Sequence, residues 1–186
     1  MQRALRGGLA AMAIVSAGVA ATAFAKEGHV SPYAGETARE IKALSPDYLS
    51  GLRAGAGLGF AKSAELNGYP GPAHLLELAE AIPLKATQTA AIQGIFERMQ
   101  AEAIALGAEL IEAERRIEGA FRDRSIDEAG LARLTAAAGA ANARLRARHL
   151  AAHLEAAALL SHPQIAAYER LRGYEGGAAH GRRHHQ

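Results

Sequence analysis

The longest regular pattern of apolar positions in the chain runs from Ala86 to about Arg122. Ile92, Phe96, Met99, Ala103, Leu106, Leu110, Ala113, Ile117 and Ala120 step by four and three without interruption, which places them on one stripe of a long helix. A second stripe, from Ile126 to about Leu160, runs through Leu134, Ala138, Ala141, Leu145, His149, Ala152, Ala156 and Leu159. Between the two, Ser125 with Glu128 three residues on has the form of a capping box that starts the second helix. So short a connection predicts that the helices fold back on one another as a long antiparallel hairpin. Both stripes are rich in alanine, which lets helices approach closely but removes little apolar area from water, at about 25 cal/mol per Å². The hairpin therefore needs further cover, and the pattern predicts flanking short helices and a homodimer.

The shorter elements follow from local signals. A helix is expected over Thr37–Leu44, and a second over Pro46–Arg53, where Ser45 caps, Pro46 takes the first position and Asp47 the first turn. A third should run from Ala61 to Leu66 and stop at Asn67-Gly68. Tyr69-Pro70-Gly71-Pro72 is a stiff connector into a helix over Ala73–Ala81, and Ser161-His162-Pro163 leads into a last helix over Gln164–Arg172. The fold class is all-α. The glycine-rich run Gly55–Ser63 does not make a nucleotide-phosphate loop. Such a loop ending at Lys62-Ser63 would need glycine where Ala56 and Ala61 stand, and no strand precedes it.

The ends of the chain set its domain organisation. Arg3 and Arg6 precede an apolar run from Leu9 to Phe24, and Ala23-Phe24-Ala25 carries small residues where a signal peptidase reads, so residues 1–25 are expected to be a cleaved secretory signal. An uncleaved inner-membrane anchor is the alternative, although the run is shorter than the roughly 20 apolar residues of a spanning helix. Residues 26–36 read as a disordered tether, 37–174 as the helical domain and 175–186 as a disordered tail rich in His and Arg. Without Arg3 and Arg6, the 21 basic side chains become 19 against 19 acidic ones. The calculated pI of 9.1 thus gives no support for nucleic-acid binding. With no cysteine, the chain has neither disulfide nor thiolate ligand.

The candidate chemistry lies on the second long helix. His149 and His153 are four residues apart, which stacks two imidazoles on one face about a turn apart. In a hairpin closing near Arg124-Ser125 they face the stretch from Phe96 to Glu102. Met99, Glu97 or Glu102 can then supply a third ligand, and His74 or Glu77 a fourth from the packed short helix. Imidazole with carboxylate suits zinc, nickel or copper(II), whereas a thioether favours copper(I). The competing reading is structural: a seam histidine fills space and makes one hydrogen bond, and His74 and Glu77 are solvent-exposed polar residues. Protonation of the pair near pH 6 to 7 would also loosen the hairpin. The tail histidines His180, His184 and His185 can collect metal only weakly, because ordering a flexible segment opposes binding. No enzyme is expected, since the chain has no cysteine nucleophile, no HExxH and no G-x-S-x-G.

Leu160-Ser161-His162-Pro163-Gln164 resembles the LTxxQ signature of the Spy/CpxP family of periplasmic proteins. Leu84-Lys85-Ala86-Thr87-Gln88 falls where a first copy lies, with Lys85 in place of the capping threonine. Tyr69-Pro-Gly-Pro-Ala-His74, Arg148-His149-Leu150-Ala-Ala-His153-Leu154 and Leu171-Arg-Gly-Tyr174 are similar to members described as periplasmic heavy-metal sensors. The resemblance implies a cradle-like helical homodimer in the periplasm. Relatives bind divalent metals, hold unfolded envelope proteins without ATP, or restrain a membrane sensor kinase. In the nickel/cobalt branch, early-helix histidines combine with a late His-x3-Met pair. His149 and His153 fall near the latter with His replacing Met, and no early His-x3-His is present. A metal-binding stress protein is thus one expectation. An ATP-independent holdase or kinase modulator is the other, with Ile117, Phe121, Leu150 and Leu154 as candidate client-binding residues.

Overall fold

The computed structural model describes residues 30–174, so the expected signal segment, the start of the tether and the histidine-rich tail lie outside the described residues. The chain divides into two units, before and after the Ala34–Gly35 junction. In the first, Val30–Ala34 form a turn closed by Ala34 N–H on the Ser31 carbonyl, with Val30 and Tyr33 exposed. From Gly35 on, six α-helices follow: α1 (Pro46–Arg53), α2 (Lys62–Glu65), α3 (Pro72–Glu77), α4 (Ala86–Arg122), α5 (Glu128–Ala157) and α6 (His162–Leu171). No strand occurs among the described residues. No helix there is long and apolar enough to cross a membrane.

Helices α4 and α5 pack along their length. Arg144 reaches Glu109, Arg148 reaches Glu102 and Arg98 reaches Glu155, so as numbers rise along one helix they fall along the other and the two run in opposite directions. On α5 the buried residues are Gly130, Ala138, Ala141, Leu145, His149, Ala152 and Ala156, close to the expected stripe. On α4 the stripe is wider. Ile95, Gly107 and Ile111 are buried while Phe96, Leu106 and Ala113 are only half-buried. The cause is a second neighbour, since α1 and α3 pack on α4 as well. At Gly107 a β-carbon would stand 2.5 Å from the Leu52 carbonyl oxygen, so only glycine admits α1 this close.

Three boundaries depart from the sequence expectation. The helix expected over Thr37–Leu44 is a single 3-10 turn, Glu36–Ala38, ended by an extended Arg39. The break lets Ile41 bury while its neighbours pair outward, Glu40 with Arg53 and Arg115, and Lys42 with Glu118. So short a helix would not repay its own nucleation. Helix α3 stops at Glu77 and turns over the next residues rather than continuing to Ala81, which lets Ile82 enter the second cluster of the core.

The α5 cap is Asp127, not Ser125. Its carboxylate accepts from Gly130 N–H at 2.7 Å. Ser125 is already committed, because its N–H closes the end of α4 on the Ala120 carbonyl, with Arg124 left-handed at φ 52°.

Candidate functional site

The two segments that carry the LTxxQ resemblance meet. Gln88 and Gln164 are each the third residue of a helix, and each side-chain oxygen accepts from the backbone N–H of its own cap, Lys85 and Ser161, at 2.9 Å. The two amides also pair reciprocally at 3.0 and 2.9 Å. The remaining amide protons go to the Leu159 carbonyl at 2.6 Å and the Pro83 carbonyl at 2.9 Å. Both glutamines are thereby saturated. Lys85 has no lone pair to return a bond, so the first copy keeps only the glutamine half of the box. Leu84 and Leu160 pack against the second core cluster of Leu75, Ile82, Ile92, Ala156 and Tyr168. This knot fixes where α5 ends against α4, one turn beyond the histidines.

Helical spacing puts His149 on the α4–α5 seam, where it is 4% exposed. Its ring stacks on Phe60 with centroids 5.5 Å apart and planes 17° from parallel. The glycine-rich run dismissed as a phosphate loop has become this wall of the site, turning at the left-handed Gly55 and Gly59 to bring Phe60 inward. His149 Nε2 is buried and has no hydrogen-bond partner among the described residues. Burial, and then the charges of His153 and Arg148, hold its pKa below the ordinary histidine value, so the ring is neutral.

One turn on, His153 lies under the Tyr69–Gly71 connector. Its Nδ1 is 2.7 Å from the Tyr69 carbonyl oxygen. A carbonyl only accepts, so Nδ1 carries a proton, and in the neutral ring Nε2 presents a lone pair. The Nε2 edge of the ring lies against Gly71, where a β-carbon would stand 2.9 Å from it. His74, on α3, shares the pattern: Nδ1 sits 2.8 Å from a Glu77 oxygen, leaving Nε2 free to accept.

His149, His153, His74 and Met99 line one pocket of about 620 Å³, with Phe60's neighbour Ala61, Glu65 and Gly71 among its other walls. Glu77 acts only behind His74. Glu102 is turned away, 3.6 Å from Arg148 Nε, with most of its side chain in solvent. Among the described residues, no three His, Cys, Asp or Glu side chains converge on a point that would hold an ion. The donor-bearing side chains that share the pocket are the three imidazoles, the Met99 thioether, the Gln100 amide and the Glu65 carboxylate, the last already hydrogen-bonded by other groups.

The sequence reading missed Glu65. Its carboxylate is largely buried, taking the Tyr168 hydroxyl and, at 3.0 Å, the Tyr174 hydroxyl on one oxygen, and Gly71 N–H at 3.2 Å on the other. Arg172 Nε stands 3.5 Å away and His153 Nδ1 3.7 Å away. Burial and the Glu65 bond push the Tyr168 hydroxyl well above the usual tyrosine range. No local pattern announces Glu65, since Tyr168 and Tyr174 lie 103 and 109 residues further along.

The candidate client-binding residues do not form one surface. Ile117 and the exposed Phe121 line a groove with Ile41, Lys42 and Glu118 near the far end of α4. Leu154 lines a different groove with Tyr69, Leu160 and Ile165, and Leu150 is half-buried. At 1.5 Å per residue the two grooves are separated by about 30 Å along the helix pair.

Comparison with protein-family models, with curated proteins and with solved structures finds no match for this chain.

Proposed function

We propose that this chain is an exported metal-binding protein, a heavy-metal sensor or buffer of the bacterial envelope, which takes a transition-metal ion through His149 and His153. The observation that carries the proposal is His149 Nε2, a buried ring nitrogen without a partner among the described residues, in a side chain that lines one pocket with a second imidazole, His153. A buried polar nitrogen left without a partner costs about 1–3 kcal/mol, and with the proton on Nδ1 a bound cation would satisfy it. His153 and His74 each have the Nδ1 partner usual for a metal-bound imidazole. The resemblance of the two glutamine segments to the LTxxQ signature supports the same class. On this reading α4 and α5 form the long antiparallel hairpin of a periplasmic, cradle-like homodimer, and a signal peptide directs the export.

Titration with zinc, nickel and copper(II), and with copper(I) under anaerobic conditions, tests the proposal, which requires that at least one of these ions binds. The protein would carry alanine at His180, His184 and His185 to silence the tail, beside the same protein with His149→Ala and His153→Ala added. Submicromolar binding that disappears in the second protein is expected. Equal binding by both proteins would refute it.

The exposure of Phe121 and Leu154 favours a second reading, an ATP-independent holdase or a modulator of a sensor kinase. That reading predicts suppression of client aggregation without metal, weakened by Phe121→Ser and Leu154→Ser.

A further inference from the structure

We infer that the ion this pocket selects is copper(I), held by His149 Nε2, His153 Nε2 and the Met99 thioether. The inference rests on the metal-binding reading above and goes further by naming the ion and the third ligand.

The donor set offers no charge. The three ligands named are neutral, and the carboxylates considered as alternatives have other neighbours: Glu65 takes two tyrosine hydroxyls and Gly71 N–H, Glu77 takes His74, and Glu102 lies 3.6 Å from Arg148 with most of its side chain in solvent. Arg148 adds a positive charge that acts on His149, with Glu102 and Glu155 beside its guanidinium. A cation entering this site is therefore neutralised by no ligand. The cost of desolvating an ion rises with the square of its charge, so a divalent ion meets about four times the penalty of a monovalent one. Zinc, nickel and copper(II) sites ordinarily recover that cost through thiolate or carboxylate ligands and a fourth or further donor.

Copper(I) needs neither. It is monovalent, accepts low coordination numbers and prefers soft ligands, among which the thioether is the one neutral sulfur donor available to a chain without cysteine. Met99 is 7% exposed and lines the pocket beside His149 and His153. A leucine in its place would fill that volume equally well, so the sulfur is what distinguishes the residue. His153 is set for the task by its Nδ1 bond to Tyr69, which fixes the tautomer before any ion arrives. The ion is bound and released as copper(I), so no electron transfer is involved.

The test uses the full chain with the three tail histidines replaced by alanine. Copper(I) is titrated anaerobically against a chromophoric copper(I) chelator, and zinc and nickel by calorimetry. Each is measured on this protein and on its Met99→Leu and His149→Ala/His153→Ala derivatives. Met99→Leu conserves volume, and circular dichroism checks its folding. The expected result is that Met99→Leu weakens copper(I) by about tenfold or more while changing zinc and nickel by less than about threefold. X-ray absorption of the copper(I) protein with Met99 intact should show two nitrogen scatterers and one sulfur, whatever the variant does. Absence of a copper–sulfur path, or copper(I) affinity untouched by Met99→Leu, overturns the inference. Tight zinc or nickel binding that depends on the histidines and outcompetes copper(I) overturns the choice of ion and leaves the metal-binding reading standing. Loss of no ion's binding in the double-histidine derivative overturns both.

Discussion

Replacing Gln164 by alanine should destabilise the protein by about 3 kcal/mol, at bonds of about 0.5–1.5 kcal/mol each, less what half-exposed groups recover from water. The amide of Gln164 bonds Pro83 O, Ser161 N–H and both ends of the Gln88 amide. Alanine keeps the helix propensity, so the loss is the hydrogen bonds. In a chain of this size about 3 kcal/mol lowers Tm by about 6–12 °C. Gln88→Ala should cost a similar amount, since Gln88 bonds Lys85 N–H, Leu159 O and the same partner amide. Both single changes break the reciprocal pair, so the double variant should lose less than the sum, by about 1–2 kcal/mol. Urea denaturation followed by circular dichroism at the helix band measures all four proteins. If each single variant costs less than about 0.5 kcal/mol and the two add, the glutamines are not the clasp described here.

Three further outcomes follow from the same contacts. The neutral state of His149 stabilises the metal-free fold above the unfolded histidine pKa of about 6.5, and that contribution is lost as pH falls from there toward the lower folded pKa. Melting temperatures between pH 7.5 and pH 5 should therefore fall more steeply for the native protein than for His149→Leu, and parallel curves would contradict the argument. Tyr168→Phe removes one donor from Glu65 and should cost about 1–2 kcal/mol. In the native protein, absorbance titration should find Tyr168 un-ionised through the normal tyrosine range, and a full complement of ionising tyrosines before unfolding would show that the hydroxyl is not buried as described. Arg124→Gly relieves a left-handed residue at the end of α4 and should stabilise by about 0.5–1 kcal/mol; a lower Tm would argue that the Arg124 side chain is needed.

The α5 seam was legible because one partner, α4, decides its burial, so a single stripe from Ala138 to Ala156 describes it. The α4 seam was legible only in part. Gly107 and Ile111 serve α1 and the loop before it, and no periodicity within α4 discloses a Leu52 carbonyl from elsewhere in the chain. The Ser125 cap misled for a related reason. Two cap sequences overlap, Ser125 to Glu128 and Asp127 to Gly130, and the choice falls to the turn, which consumes the Ser125 N–H. At the site, the i, i+4 spacing and the register opposite Met99 could be read directly. Glu102 could not be assigned, because Arg148 competes for it from the residue next to His149. Phe60 was hidden inside a loop whose glycines suggested another chemistry.

The balance between a structural and a binding histidine turns on what else could stand at position 149. The seam around it is built from Met99, Ala103, Leu145 and Ala152, so leucine would bury comparable area and leave no nitrogen without a partner. A histidine kept only for packing would be expected to find one hydrogen bond for each buried ring nitrogen, as buried polar groups overwhelmingly do. Phe60 stacks on the ring and offers none. One turn away His153 makes the contrast: its Nδ1 is bonded to a backbone carbonyl beside Glu65, and its other nitrogen lies against Gly71, a residue that lines the same pocket. The fold therefore anchors one imidazole from behind and leaves a buried nitrogen of the other without a partner among the described residues, and on the metal-binding reading the cost of that arrangement is the measure of what an ion would return.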